Sequence, residues 1–325
     1  MRTTGALRLW RMRRCVALLC VFICGLLLAS CARSSAHRSP DSQTAQLDFS
    51  FEGLSRSAVI HLPSIEDSET PMPVVLLFHG GGGTAEGMEN ISGFDDTADQ
   101  YNIIAVYPSG YRKSWADGRG TTPADQVGVD DIGFISALLD KLEQQYKVDS
   151  HRVFATGLSN GAFLSQRLGC DLSDRIAAIA PVAGTQGVDY APSCQPGRPV
   201  SVLDIQGTED PLVPYKGGAM RGRGGTSSIL SAEEVTNNWA SIDGCSESPT
   251  TNDIPDQADD GTQLVVWSYQ NCNANASVKL YEVEGGGHTW PGGEQYLPSL
   301  LVGKTTGQFN ASDTIWKFFA AHPMP

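Results

Sequence analysis

The sequence predicts an α/β fold with a mostly parallel central sheet, an antiparallel hairpin at its N-terminal end and helices on both faces. Three observations carry this expectation. The run Val74-Val75-Leu76-Leu77-Phe78 is apolar without alternation, which suits a central strand covered on both faces better than one with a wet face. Beyond it, β-branched apolar stretches alternate with segments whose apolar residues recur at helical spacing, the rhythm of an open parallel sheet. In Val153-Phe154-Ala155-Thr156-Gly157-Leu158-Ser159-Asn160-Gly161 an apolar run ends at Gly157, and helical spacing begins after Gly161. That is a strand, a sharp turn and a helix.

The elements follow in order. Leu47, Phe49 and Phe51 alternate with polar residues, Gly53 turns the chain, and 58–62 runs back, giving the hairpin. After Pro73 and the strand at 74–78, further strands are expected at 103–107, 152–156, 176–182, 200–206 and 278–283. Ile132, Ile135, Leu138, Leu139 and Leu142 define a helix capped by Asp130 or Asp131. Ser231-Ala232-Glu233-Glu234 has the form of a capping box, and Gly244 stops the helix it opens. Residues 264–269 read as an added strand, and 312–321 as a closing helix with Ile315, Trp316 and Phe319 inward. The glycine-rich, basic stretch 214–228 reads as a surface loop. No repeat appears, and 45–325 reads as one domain.

With 325 residues, 41% of them hydrophobic, the chain can bury a full core. Its first thirty residues hold Arg2, Arg8, Arg11, Arg13 and Arg14 and no acid, followed by an apolar run at 16–29. The run is short for a membrane span, so 1–30 reads as an export signal. Leu28-Ala29-Ser30-Cys31 resembles a bacterial lipobox, which implies cleavage before Cys31 and lipid on its sulfur; a plain secretory signal is the alternative. Residues 31–44, rich in serine, read as a flexible tether. Losing 1–30 takes the net charge from -13 to -18. So acidic a body has no electrostatic case for nucleic acid or anionic lipid, and any membrane link is covalent, through Cys31.

Of eight cysteines, Cys15, Cys20 and Cys24 leave with the signal and Cys31 is taken by lipid. The four that remain, Cys170, Cys194, Cys245 and Cys272, suggest two disulfides in an exported chain. Three pairings are possible; sequence proximity favours Cys170 with Cys194 and Cys245 with Cys272. No C-x-x-C spacing offers a zinc or redox site.

In a G-x-S-x-G turn the backbone doubles back so tightly that only glycine fits beside the serine, whose hydroxyl is pushed out above the sheet. Ser159 is then a presented nucleophile, and it needs a base and a carboxylate to orient that base. Two histidines follow it. His322 lies in the C-terminal tail, whereas His288 stands in a loop directly after the strand at 278–283, where parallel sheets place reacting groups. Asp210 holds the matching loop position after the strand at 200–206. Asp204 falls inside that strand and Glu209 one residue early. The oxyanion formed by attack on a carbonyl needs donors. The N–H of Asn160 is one, and Gly81, in the glycine loop after the first central strand, is the other. His79 reads as structural. Trp115, Tyr215 and Trp290 lie near loop ends and are candidates for an aromatic substrate platform.

Two nucleotide readings are weaker. Gly80-Gly81-Gly82-Gly83-Thr84-Ala85 fits G-x-G-x-x-A, but the next strand ends in Val106-Tyr107-Pro108 without an acid for a ribose. Gly303-Lys304-Thr305 has the tail of a P-loop with Pro298 where the first glycine belongs.

Phe78-His79-Gly80-Gly81, Val129-Asp130-Asp131-Ile132-Gly133-Phe134-Ile135, Gly157-Leu158-Ser159-Asn160-Gly161, Ala180-Pro181-Val182-Ala183-Gly184, Gly207-Thr208-Glu209-Asp210-Pro211 and Gly285-Gly286-Gly287-His288-Thr289-Trp290-Pro291-Gly292 together resemble the exported polyhydroxybutyrate depolymerases and feruloyl or acetylxylan esterases. The resemblance spans most of the chain. It implies an α/β-hydrolase fold and a serine esterase using Ser159, Asp210 and His288, with no cofactor or metal, acting as a monomer on a small or polymeric ester. Gln206 and Asp204 stand where such proteins often carry histidines, and Gly81 where many depolymerases carry cysteine. A serine peptidase of the same fold, or an idle surface lipoprotein that binds carbohydrate, are the alternatives.

Overall fold

A ten-stranded sheet in the order β1-β2-β4-β3-β5-β6-β7-β12-β11-β10 organises the protein. The computed structural model describes residues 42–64 and 70–325, which fall in one compact unit. The signal at 1–30, Cys31 and the tether as far as residue 41 lie outside the described residues.

β1 (Gln43–Phe51) and β2 (Leu54–Leu62) form the expected hairpin. It begins two residues before the expected domain start, because Gln43 and Thr44 continue the ladder opposite Leu62 and His61. β3 (Met72–Phe78) is wholly buried, as a doubly covered strand must be. α1 (Ala85–Ser92) and α2 (Phe94–Tyr101) lead to β4 (Ile104–Pro108). A long loop runs to α3 (Asp131–Gln145), which is followed by β5 (Val148–Leu158), α4 (Asn160–Asp171), β6 (Ala178–Val182) and β7 (Ser201–Gly207). Asp130 caps α3, its Oδ1 accepting from Gly133 N at 2.9 Å.

β8 (Gly218–Gly222) and β9 (Gly225–Ile229) pair as a separate hairpin. This corrects the surface loop expected at 214–228: Met220 and Ile229 are buried with Val213 against Phe163 of α4, an anchor that a glycine-rich sequence does not advertise. α5 (Ala232–Ile242) carries the capping box at Ser231 and Glu234. β10 (Thr250–Ile254), β11 (Gln263–Ser268) and β12 (Val278–Glu284) complete the sheet, and α6 (Ser299–Val302) and α7 (Ala311–Ala320) follow.

β4, β3, β5, β6, β7 and β12 run parallel, while both flanks are antiparallel. Alternate residues of β3 divide the core. Val74, Leu76 and Phe78 pack with Phe134 and Leu138 of α3, Leu164 and Leu168 of α4 and Trp239 of α5. Val75 and Leu77 pack on the opposite side with Met88 of α1, Phe94 of α2 and Ile315 and Phe319 of α7. Disulfides join Cys170 to Cys194 and Cys245 to Cys272.

Candidate active site

The turn between β5 and α4 holds Ser159 at φ 58° and ψ -119°, a conformation that costs a non-glycine residue on the order of 1–3 kcal/mol. Backbone bonds hold it there. Ser159 N donates to Val182 O at 3.0 Å, and its own carbonyl accepts from Ala162 N and Phe163 N. The flanking glycines are required by approach to β3: a Cβ on Gly157 would stand 2.6 Å, and one on Gly161 2.1 Å, from the carbonyl oxygen of Phe78. The serine side chain is half-buried and lines a cavity.

The loops after β7 and β12 emerge at the same edge. Leu158 is in register with Val182, Val182 with Ile205, and Gly207 with Val283, so these parallel strands end at a common level beside the turn. There the structure brings His288 and Asp210 together: Nδ1 of the buried imidazole lies 2.7 Å from Asp210 Oδ2. The other carboxylate oxygen accepts from Leu212 N at 2.7 Å and Val213 N at 2.8 Å. One aspartate thus closes its own turn and meets the imidazole with different oxygens. A carboxylate on Nδ1 favours the tautomer with its proton there, leaving the Nε2 lone pair available. The main chain of His288 is fixed by its N–H to Val302 O at 2.6 Å and by Tyr296 Oη donating to its carbonyl at 2.9 Å.

The other candidates lie elsewhere. His322 bonds Phe318 O through Nδ1, and Glu209 is exposed. Asp204 is fully buried under α4 and α5, where Gln166 Nε2, Gln206 Nε2 and Thr236 Oγ1 donate to it at 3.0–3.5 Å. Burial pushes its carboxyl up to about 7, against those hydrogen bonds. Asp204 is not readable from its own strand, because two of its three partners, Gln166 and Thr236, come from helices far away in the chain.

The glycine loop after β3 faces the serine. A Cβ on Gly80 would sit 3.4 Å from Ser159 Cβ, and one on Gly81 3.8 Å from Asn160 Cβ. Asn160 N–H belongs to the first turn of α4, which leaves it without an intrahelical acceptor. His79 is built into the frame: Nε2 accepts from Gly110 N at 3.0 Å, Nδ1 bonds Gly80 O at 2.8 Å, and burial lowers its pKa to about 4.

The side chain of Asn160 does work that the motif did not reveal. Its Oδ1 accepts from Trp115 N at 2.9 Å, and its Nδ2 donates to Asp117 Oδ2 at 2.6 Å. Asp117 also receives Arg119 Nε and Nη2 at 2.9 and 2.6 Å. Asp131 of α3, paired with Arg56 at 2.6 Å, accepts from Ala116 N at 2.7 Å. The loop between β4 and α3 is pinned in this way as one wall of the cavity. The adjacent acids Asp130 and Asp131 were the available signal: one caps the helix, and the other turns inward.

Comparison with known proteins agrees with this architecture. The chain is 29% identical over 286 residues to Putative esterase NocK of Nocardia uniformis subsp. tsuyamanensis, covering 86% of this chain and 83% of that one. It is 26% identical over 275 residues to Feruloyl esterase C of Emericella nidulans, covering 82% and 84%. It is also 28% identical over 240 residues to Feruloyl esterase B of Piromyces equi, covering 72% of this chain but only 42% of that protein. An acetyl xylan esterase from Aspergillus awamori superposes with a TM-score of 0.55 at 16% identity, covering 86% of this chain and 98% of that one. This chain has the α/β-hydrolase fold, and its relatives are named esterases. No protein-family model matches it.

The expected aromatic platform does not form. Trp115 is fully buried on Phe78 and His79, with Nε1 donating to His79 O at 3.0 Å. Trp290 is buried on the far face of the sheet with Nε1 donating to Ser312 Oγ at 3.1 Å. Tyr215 packs with Ala232 and Leu280. Each sits near a loop end in sequence, but the apolar rings turn into the core. The cavity, about 370 Å³, is lined instead by Gly81, Ser159 and Asn160, by Arg119 of the pinned loop, and by Leu212 and Met220, with the tip of the β8–β9 hairpin across it. Among the described residues no group of His, Cys, Asp and Glu is arranged to hold a metal ion.

Proposed function

We propose that this α/β-hydrolase is a serine carboxylesterase in which Ser159 is the nucleophile, His288 the general base and Asp210 the group that orients it. The observation that carries the reading is the buried 2.7 Å pair of His288 Nδ1 and Asp210 Oδ2 at the strand edge where the strained Ser159 is presented. His288 Nε2 takes the hydroxyl proton as Ser159 Oγ bonds to the ester carbonyl carbon. The N–H groups of Asn160 and Gly81 receive the resulting oxyanion. Collapse expels the alcohol, which leaves with that proton, and water repeats the sequence on the acyl-serine to release the acid and restore Ser159. No part of this cycle needs a cofactor.

The relatives' names point to feruloyl and acetyl esters on plant polysaccharide as the substrates to try first, with hydroxyalkanoate polyesters beside them. Disulfides support an exported protein, and we place its lipid on Cys31; a Cys31→Ala chain that still incorporates labelled palmitate would contradict this. The decisive test of the chemistry is labelling by a fluorophosphonate, with peptide mass mapping. The adduct is expected on Ser159 and absent from Ser159→Ala, and a labelled Ser159→Ala would overturn the assignment.

A further inference from the structure

We propose that the ester bound here carries a negative charge of its own, a carboxylate on its acyl or alcohol part, held at the cavity mouth by Arg221 and Arg223. This deepens the esterase reading and rests on it.

Three arginines and no acid line the cavity, in a chain of net charge -13. Arg119 is committed to Asp117 and lies 4.0 Å over the Phe163 ring. Arg221 and Arg223, at the tip of the β8–β9 hairpin, are exposed and have no ion-pair partner among the described residues. Among the described residues Arg223 Nη1 donates to main-chain carbonyls, of Lys113 at 3.1 Å and Arg112 at 3.4 Å. Its stem lies against Gly81 and Gly82, with Cδ 3.6 Å from where a Cβ on either would stand.

The tip is held in place. Gln126 Nε2 donates to Gly224 O at 2.6 Å, Met220 and Ile229 are packed under the hairpin, and Val188 N–H reaches Ser228 O at 3.0 Å. Arg221 and Arg223 line the same cavity, and an anion between two cations lowers their mutual repulsion. A guanidinium offers a carboxylate two parallel N–H bonds. The low-dielectric cleft concentrates the field beside Ser159, where an arriving ester must pass.

The test compares para-nitrophenyl butyrate with para-nitrophenyl hemiglutarate, a similar acyl chain that ends in a carboxylate, using the ratio of their kcat/KM values. Wild type is expected to favour the hemiglutarate about tenfold, as one or two partly exposed ion pairs supply. The preference should collapse when ionic strength rises from about 0.01 to about 1 M and the Debye length falls from about 30 to about 3 Å. Arg221→Gln/Arg223→Gln should lose the preference, and Arg221→Lys/Arg223→Lys should keep most of it. A wild-type ratio at or below one together with no faster release from acetylated polygalacturonate than from acetylated xylan, or a glutamine variant that lowers the charged and neutral esters in the same proportion, overturns the proposal. Hydrolysis of neither ester, without fluorophosphonate labelling, sinks the esterase reading itself. Acetylated polygalacturonate and acetylated xylan then locate the charge: faster release from the former puts it on the alcohol side, and equal release with the hemiglutarate preference intact puts it on the acyl side. Both support the charge.

Discussion

Replacing Asp210 separates chemistry from folding, because its two oxygens have different partners. In Asp210→Asn the remaining amide oxygen can still accept from Leu212 N and Val213 N, as Oδ1 does at 2.7 and 2.8 Å. The NH₂ group then faces His288 Nδ1 in place of Oδ2. Two donors cannot share that contact, so the imidazole adopts the other tautomer, with its proton on Nε2, and can no longer take one from Ser159. In serine hydrolases such a change costs about 10⁴ in kcat, or about 5.5 kcal/mol of barrier. KM should stay within a few-fold, since no group that binds the ester in its ground state is altered. The fold should hardly notice. Asp210→Ala instead strands both amide donors at a cost of about 1–3 kcal/mol for the buried one, so it should lose activity and also several degrees of Tm. Steady-state kinetics on a para-nitrophenyl ester with thermal melts of both variants reads this out. An asparagine variant within tenfold of wild-type kcat, or one as destabilised as the alanine variant, would refute the reasoning.

Three further outcomes are expected. Ser159→Gly relieves the strained φ of 58° at the cost of a more flexible unfolded chain, so calorimetry should find hydrolysis abolished and Tm unchanged or slightly raised; a clear fall in Tm would contradict the strain. Asp204 keeps its proton in the folded protein up to about 7, whereas its ordinary value is 3.8. Between those values the unfolded chain has released a proton that the folded chain still holds. The stability it contributes is therefore complete below about pH 4 and is lost as pH rises through 7. Denaturant titrations should find Asp204→Asn gaining on wild type across that window, and a constant difference would count against the shift. Removing the Cys170–Cys194 disulfide by double serine substitution opens a loop with a sequence separation of 24 and should cost about 3 kcal/mol, read as a lower denaturation midpoint with kcat on the para-nitrophenyl ester held.

What could be read in advance and what could not divide along physical lines. The turn at Ser159 was legible because close backbone approach excludes every residue but glycine on either side, a constraint written in single letters. His288 and Asp210 were legible because parallel strands deliver their following loops to one edge, so position after a strand substitutes for coordinates. The ring directions of Trp115, Tyr215 and Trp290 were not legible: a residue near a loop end can face the cleft or the core, and an indole N–H that finds a carbonyl or hydroxyl inside, as both tryptophans do, is content to be buried. The β8–β9 hairpin was missed because its strands are five residues each and rich in glycine and serine. Its order comes from Phe163 and the main chain of Gln186 and Val188 rather than from its own propensity.

Asn160 ties these parts together. Its N–H belongs to the serine turn, while its side chain holds Trp115 and Asp117 in the wall opposite. The proposed nucleophile, base and orienting acid therefore rest on strand ends fixed by the sheet register, and the wall is referenced to the same turn through one amide. The hairpin tip is different. The tip is anchored through Gln126, and Arg221 and Arg223 lie outside the Phe163 cluster, which meets Asp210 through Val213 N. Changing charge or shape at Arg221 and Arg223 can therefore alter which ester is accepted while leaving the histidine–aspartate geometry as it is, so selectivity in this fold can be reset from the hairpin without rebuilding the chemistry beneath it.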